Sequence, residues 1–397
     1  MLVIFLLPDL PRSGAATRTV HLAEGLAASG ISVVVAAFGG ADPDLAARLR
    51  TSGIDVLHLL PSAWRLGRYI RSQPDIVLHA AMPTAGLAGW LLSRWYRLPM
   101  VYSYTNCLHS ERPFRRRTPM DSLNAFIERF IALRYDVLHA VSASVAEQLV
   151  TSFPQAAERV QVFVHPPTPP IESAEAGTDR IDLAEFSGAY PKLLAAGRLL
   201  PHKRFDDAVR AVAILRSRWP KAGLVIAGSG PEIAQLRILA QRLGVDSNVE
   251  LTGQSRRLTD LFAWADMLVH PSLYEGYPRV GAEARALALP IVSVDSPYGR
   301  ELARTGGLVR LSRPCDSQAL AAAITDMITF GASQLPGYGD TQQIEELSET
   351  YRRLAARTRP RKAWVRRRTA ANRGLETRAI RNLLPWLGGS KRNYTDE

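Results

Sequence analysis

Short apolar runs alternate with longer stretches of helical periodicity along most of this chain. Residues 3–7 are wholly apolar and read as a buried strand; a loop with Pro8, Pro11, Ser13 and Gly14 follows, and 15–29 reads as a helix. Further strands are predicted at 31–38, 54–59, 76–79, 100–104 and 137–141, with helical segments between them. Continuously apolar strands separated by helices imply a parallel sheet covered on both faces. Between His165 and Tyr190 the rhythm stops, because Pro166, Pro167, Pro169, Pro170, Gly177 and Gly188 punctuate a stretch with no period. It resumes with strands at 193–196, 224–227, 249–252, 267–270 and 291–294 and helices at 206–218, 232–243, 258–265 and 279–288. The expectation is an α/β protein of two Rossmann-like doubly wound domains, 1–165 and 191–335, joined by a linker at 166–190. A C-terminal helix and an Arg-rich tail follow over 336–397. Sheets of this kind bind ligands outside the carboxyl ends of their strands.

Length and composition fit this division. A chain of 397 residues, 47% hydrophobic, is too long for one ordinary core and suits two. The net charge is +12, and its distribution matters more than its size. From Arg352 to Arg392 there are 14 Lys and Arg against the single acid Glu376, so the body of the chain is close to neutral and the basicity belongs to the tail. Two cysteines, Cys107 and Cys315, make no disulfide framework, and a cytoplasmic setting is expected. The apolar start lacks a basic leader and a small-residue cleavage site, so it reads as a strand and not a signal peptide. No apolar run reaches the roughly 18 residues of a membrane-spanning helix.

Chemistry concentrates at 271–284, Pro-Ser-Leu-Tyr-Glu-Gly-Tyr-Pro-Arg-Val-Gly-Ala-Glu-Ala, directly after a predicted strand. Gly276 and Pro278 mark a tight turn, so a helix begins near Arg279 or Val280. Glu275 then lies in the turn and Glu283 about one turn into the helix. In a continuous helix these carboxylates would sit about 80° apart around the axis and ~12 Å apart along it; the turn lets the first swing over the helix N-terminus. The backbone N–H groups from Gly276 to Val280 suit a pyrophosphate, and a carboxylate at each end suits sugar and ribose hydroxyls. A surface Glu and a helix Glu at this spacing also arise by chance, and the pair alone does not choose between these readings.

The wider stretch resembles the signature of glycosyltransferase family 4, a Glu-x7-Glu motif of the form Pro-Ser-x-x-Glu-Gly-Phe-Pro, here with Tyr277 in place of Phe. Ala196-Gly197-Arg198-Leu199 with His202-Lys203 resembles the family's Gly-Arg-Leu…Lys segment, in which the Arg and Lys hold the donor pyrophosphate; Arg204 stands where the family usually has Gly. Gly228-Ser229-Gly230-Pro231 resembles the family's Val-Gly-x-Gly-Pro turn. The third glycine of a dinucleotide fingerprint is missing, so NAD is not supported, and Gly228 reads equally as a donor-side or a packing glycine. The similarity covers most of 1–330 and is strongest over 193–310. It implies a GT-B fold, two Rossmann-like domains facing each other across a cleft, with acceptor binding in the first and nucleotide-sugar binding in the second. It further implies a retaining transfer of a hexose from a nucleotide-diphosphate-sugar to an acceptor hydroxyl, the leaving phosphate helping to take the acceptor proton. No metal or other cofactor is expected, since Arg198 and Lys203 would stabilise the charge growing on the diphosphate. The expected catalytic residues are Glu275, Lys203, Arg198 and His109; the expected donor-binding residues are Gly14, Gly228, Gly276, Tyr277, Pro278, Val280 and Glu283.

The N-terminal half departs further from the family. Gly14 sits where the family carries a Gly-Gly loop, and an ordinary turn before a helix describes it as well. Many members have a His just after the strand matching 100–104; here Thr105 and Asn106 stand there and His109 follows, read as a contact to the acceptor or the donor sugar. His79 is a second candidate, with a structural strand-end histidine as its plainer reading. Arg112 and Arg115 to Arg117 precede a predicted helix at 121–133 with Leu123, Phe126, Ile127, Phe130 and Ile131 on one stripe. That pattern describes a core helix behind a solvated loop, or a surface that touches anionic lipid or a lipid-linked glycan. Trp364 and Trp386 among the tail's arginines suit an anionic membrane surface at the inner face, a nucleic acid, or a solvated extension. The expected partners are a nucleotide-sugar donor, a glycan, lipid-linked or small-molecule acceptor, and an anionic membrane surface through the tail, with no nucleic acid. Assembly of a cell-surface glycan, lipopolysaccharide, exopolysaccharide or glycolipid is the expected setting. The competing readings are a non-catalytic nucleotide-sugar-binding scaffold on the same fold and a transferase acting on a small metabolite.

Overall fold

A computed structural model of the chain describes residues 1–10, 14–105, 119–163, 183–253, 258–277, 279–304, 307–330, 334–335 and 340–356. The chain divides into two compact units, the first formed by residues up to 165 together with those from Thr341 onward, the second by Pro166–Asp340.

In the first unit β1 (Leu2–Leu7), β2 (Ser32–Ala37), β3 (Asp55–His58), β4 (Ile76–Ala81), β5 (Met100–Tyr104), β6 (Val137–Ala140) and β7 (Val160–Val162) form one parallel sheet in the order β3-β2-β1-β4-β5-β6-β7. Every residue of β1, β4 and β5 is buried, as strands covered on both faces must be. The strand order reverses between β1 and β4. The helix Asp340–Ala356, set apart in the sequence as a terminal segment, packs into this unit through the buried Leu347, Tyr351 and Leu354. Its Ile344 presses on Gly25, where a Cβ would come within 2.9 Å of the Ile344 side chain, so the absence of a side chain at Gly25 admits the helix.

The second unit repeats the arrangement. Strands β8 (Lys192–Ala196), β9 (Gly223–Ala227), β10 (Val249–Gly253), β11 (Met267–His270), β12 (Ile291–Val294), β13 (Gly307–Ser312) and β14 (Gln334–Leu335) run in the order β10-β9-β8-β11-β12-β13-β14, parallel except for the antiparallel β14. Successive residues of β8 and β9 feed opposite cores: Leu193, Leu224 and Ile226 one, Leu194, Val225 and Ala227 the other. Burying each such side chain contributes about 1.5–3 kcal/mol. Here the order reverses between β8 and β11, which makes the ends of these two strands the natural ligand position.

The predicted α/β class and both doubly wound sheets are present. The short β7, the strands β13 and β14, and the helices Pro297–Arg304 and Ser317–Phe330 extend the predicted pattern. The helix predicted over 279–288 stops at Ala286, and Ala288 adopts a left-handed φ of 54° ahead of Pro290. Among the described residues no helix is long and apolar enough to cross a membrane.

Candidate active site

Two loops at the switch point of the second sheet carry the site. The first leaves β8, passes through a 3-10 turn at Pro201–Lys203 and enters the helix Phe205–Leu215. The second leaves β11 and enters the helix Arg279–Ala286. They are tied together by the Leu273 N–H, which donates to the His202 carbonyl at 2.9 Å. The buried Tyr274 ring meets His202 edge-on at 6.3 Å and Tyr298 at 5.3 Å, and so anchors the residue beside Glu275.

Glu275 is the meeting point. Its Oε1 accepts from Lys203 Nζ, from Ser272 Oγ at 3.2 Å, and lies 3.4 Å from His270 Nε2. Behind it His270 Nδ1 lies 3.2 Å from Ser293 Oγ, and that hydroxyl donates to the His270 carbonyl at 3.1 Å. Burial by itself would push the Glu275 carboxyl up; the charge of Lys203 and the bond from His270 outweigh it and hold the carboxyl at about 2. Glu275 is therefore a carboxylate at any working pH. Lys203 and Glu275 stand 13% and 18% exposed, enough for both to reach a ligand.

Glu283 lies in the opposite environment. It is buried in the helix Arg279–Ala286, with Arg279 NH1 3.4 Å from its Oε1 and no hydrogen-bond partner for its Oε2. Burial raises its pKa to about 7 against the lowering effect of Arg279. The two motif carboxylates share no partner among the described residues. Of the backbone N–H groups expected to be free between them, that of Arg279 is engaged by the Tyr277 carbonyl at 2.8 Å. Gly276 is buried, and Tyr277 and Val280 are half-buried beside it.

The glycines of the loop after β9 are required by its contact with the first loop. At Gly228, φ is +152° and a Cβ would overlap the Gly197 carbonyl oxygen; at Gly230, φ is +156° and a Cβ would overlap the Leu199 carbonyl. The loops after β8 and β9 lie backbone against backbone, joined by Gly197 N–H to the Ala227 carbonyl and Leu199 N–H to the Ser229 carbonyl, both at 2.9 Å. Of the two readings of Gly228, packing is thus accounted for by geometry, and the packed partner is a loop. Arg204 occupies its family-glycine position with φ +53°, a left-handed conformation that costs a non-glycine residue about 1–2 kcal/mol. A bidentate pair offsets that cost, Arg204 Nε and NH2 each 2.9 Å from the Asp207 carboxylate, which also accepts from Ser317 Oγ at 3.1 Å. Arg198 is exposed on the loop beside His202, whose pKa is lowered by burial and by the charge of Lys203, with Arg198 contributing further.

Other expected residues are placed elsewhere. Gly14 opens the helix Gly14–Ala28 of the first unit. His109, the basic run 115–117, Cys107, Pro278, most of the linker and the chain beyond Ala356 lie outside the described residues. His79 belongs to a sealed polar chain: its Nδ1 bonds the Tyr351 hydroxyl, its Nε2 is 2.6 Å from Ser103 Oγ, that hydroxyl is 2.8 Å from His139 Nδ1, and Arg18 NH2 is 3.0 Å from His139 Nε2. Burial and Arg18 lower the His79 pKa to about 3. Sequence reasoning misses His270, Ser272, Ser293 and His202 as site residues. The His-Pro-Ser that leads into the motif is the available signal for the first two; Ser293 comes from the neighbouring strand, where β12 pairs His270 with Ser293. Among the described residues no group of three or more His, Cys, Asp or Glu is arranged to hold a metal ion.

Known proteins place this architecture. Residues 12–166 match the family model described as Glycosyltransferase Family 4, and residues 182–334 match Glycosyl transferases group 1. The chain superposes on Anabaena HepE, solved in complex with UDP and glucose, with a TM-score of 0.61 and 20% identity, over 93% of this chain and 99% of that one. The fold is GT-B. With each unit matched by its own glycosyltransferase model, the chain belongs with the family-4-like glycosyltransferases. An exopolysaccharide phosphotransferase of Streptomyces coelicolor is 38% identical over 145 residues, 36% of this chain and 15% of that protein. A D-inositol 3-phosphate glycosyltransferase of Streptomyces scabiei is 30% identical over 282 residues, 64% of this chain and 60% of that protein. The alignments thus span less than two thirds of the length of both relatives.

Proposed function

We propose that this protein transfers a hexose from a nucleotide-diphosphate-sugar to an acceptor hydroxyl with retention of anomeric configuration, in the assembly of a cell-surface glycan or glycolipid. The observation that carries the proposal is the Lys203–Glu275 pair, ionised and partly open, at the ends of the two strands that flank the switch point. In this reading Lys203 and the exposed Arg198 meet the diphosphate, and Glu275 accepts from sugar hydroxyls. The unpartnered Glu283 Oε2 accepts from the ribose. Gly276, Tyr277 and Val280 lie along the chain between the two carboxylates. The bond from the anomeric carbon to the phosphate oxygen breaks with its electron pair leaving on the phosphate. The acceptor oxygen bonds the anomeric carbon on the same face, and its proton passes to the leaving phosphate. No metal is needed where two side-chain cations meet the leaving group.

The donor class is supported by the UDP and glucose of Anabaena HepE, and the glycan setting by the name of the Streptomyces coelicolor relative; the name of the Streptomyces scabiei relative favours instead the small-molecule acceptor. The test is a panel of nucleotide-sugars scored by thermal stabilisation, followed by NMR of the product made from the stabilising donor. A retained anomeric configuration is expected. Stabilisation by no nucleotide-sugar would sink the donor site, and an inverted product would sink the retaining mechanism.

A further inference from the structure

The first unit carries an apolar face that its own core does not use. On the helix Pro119–Ala132, Leu123 is 51% and Phe126 67% exposed, and Leu133 just beyond is 40% exposed. Together with the half-buried Phe130 they fall within an arc of about 80° at 100° per residue. The opposite side of the helix supplies the buried Glu128, Ile131 and Ala132. The apolar arc is bordered by cations. Arg129 and Arg134 are exposed on its two flanks, and the Arg134 guanidinium lies 3.9 Å over the Phe130 ring. From the adjoining helix Pro83–Tyr96, Trp90 meets Phe130 edge-on at 4.8 Å, and Arg94 is exposed one turn further on.

Between these helices opens a cavity of about 490 Å³, lined by Trp90, Ser93, Arg94, Leu98, Met100, Arg134 and Asp136. Ser93 Oγ donates to the Leu98 carbonyl at 2.8 Å, and Asp136 Oδ2 accepts from the Met100 N–H at 2.8 Å. Arg134 NH1 donates to the Phe130 carbonyl at 3.3 Å, which leaves its other nitrogens and the exposed Arg94 guanidinium to meet an anion. The cavity lies at the amino end of β5, which begins at Met100, and of β6, which Asp136 precedes. Occupying it leaves the carboxyl ends of the same sheet open.

We propose that this face docks the protein on an anionic lipid surface, with Leu123, Phe126, Phe130 and Leu133 entering the interface and Arg94, Arg129 and Arg134 holding lipid phosphates. An apolar arc flanked by arginines, with a tryptophan at its edge, matches an anionic headgroup layer over acyl chains. The fully exposed part of the arc amounts to on the order of 300 Å², well short of the roughly 800 Å² per partner that a stable protein interface buries. The proposal is independent of the reaction assigned to the second unit.

The test is co-sedimentation of the full chain with phosphatidylcholine vesicles, with and without phosphatidylserine. Binding is expected to need phosphatidylserine. The double substitution Leu123→Asp/Phe126→Asp should abolish it, and Arg94→Gln/Arg134→Gln should weaken it about 30-fold, each arginine contributing about 1 kcal/mol near such a surface. All four positions are solvent-facing or line an open cavity, so unchanged melting temperatures should accompany these losses. Three outcomes overturn the proposal: no binding by the wild type, binding that the Asp pair leaves unchanged, or a lipid-indifferent dimer that the Asp pair dissociates.

Discussion

The fourth strand of the first sheet carries His79 and the fifth carries Ser103; the fourth strand of the second sheet carries His270 and the fifth carries Ser293. In both units histidine and serine are hydrogen-bonded, at 2.6 and 3.2 Å. The second partner of each histidine differs. His79 turns its other nitrogen to Tyr351 of the terminal helix, deep in the first unit, and is kept neutral by burial. His270 turns its other nitrogen to Glu275, a carboxylate that also holds Lys203 and faces solvent in part. One topology and one residue pair thus serve a seal in the first unit and a charged site in the second. The third member decides which: a buried phenol closes the chain, and an ionised carboxylate at a switch point leaves charge for a ligand.

The largest expected effect separates the two directly. Lys203→Ala should lower sugar transfer by about 100- to 1000-fold, measured with the donor that the stabilisation panel selects. A comparable loss in His79→Ala at equal folded fraction would erase the distinction. Next comes the loop beyond the second strand of each sheet. Gly228→Ala should destabilise by about 3 kcal/mol or more in urea denaturation, because a Cβ there meets a backbone carbonyl at a left-handed φ. Gly39 is its counterpart after β2, and a Cβ there would lie 3.3 Å from the Pro8 carbonyl; Gly39→Ala should cost less than about 1 kcal/mol. Equal costs would mean that the two loop pairs are packed alike.

The two motif carboxylates predict opposite responses to pH. Glu283 has a folded pKa of about 7 against 4.5 unfolded, so the folded state keeps a proton that the unfolded state loses. Stability falls as pH rises through this window, by up to about 3 kcal/mol, and Glu283→Gln should remove that fall. Glu275, held at about 2, contributes stability that is present above about 4.5 and lost as pH drops towards 2. His79, at about 3 instead of 6.5, also favours higher pH, so the readout is the difference between wild-type and Glu283→Gln urea midpoints from pH 4.5 to 8. Parallel curves would show that Glu283 is hydrated in the folded protein. His79→Ala should cost about 2 kcal/mol of stability from the hydrogen bonds left unmade at Tyr351 and Ser103, and its effect on transfer is the smallest, with transfer per folded molecule unchanged.

Much of this is legible along the chain. Residues 100–104, 267–270 and 291–294 read as strands with the bounds they have, since an apolar run between turn residues is a local signal. Glu275 and Lys203 are each legible from their motifs, and their direct contact follows from the adjacency of β8 and β11. His270 reads only as the end of a strand, because its partner Ser293 is contributed by a neighbouring strand 23 residues on. The left-handed Arg204 is legible only as a departure; that Asp207 compensates it depends on side-chain geometry three residues away.

By itself the sequence determined the α/β class, the two sheets and the family, because periodicity and motif spacing are local properties of the chain. Only the tertiary structure decided the state of each charged group. Burial and partners are set by which strands lie side by side. They divide two glutamates eight residues apart into one held at about 2 and one raised to about 7. They likewise turn one strand histidine inward to a tyrosine and the other towards a carboxylate.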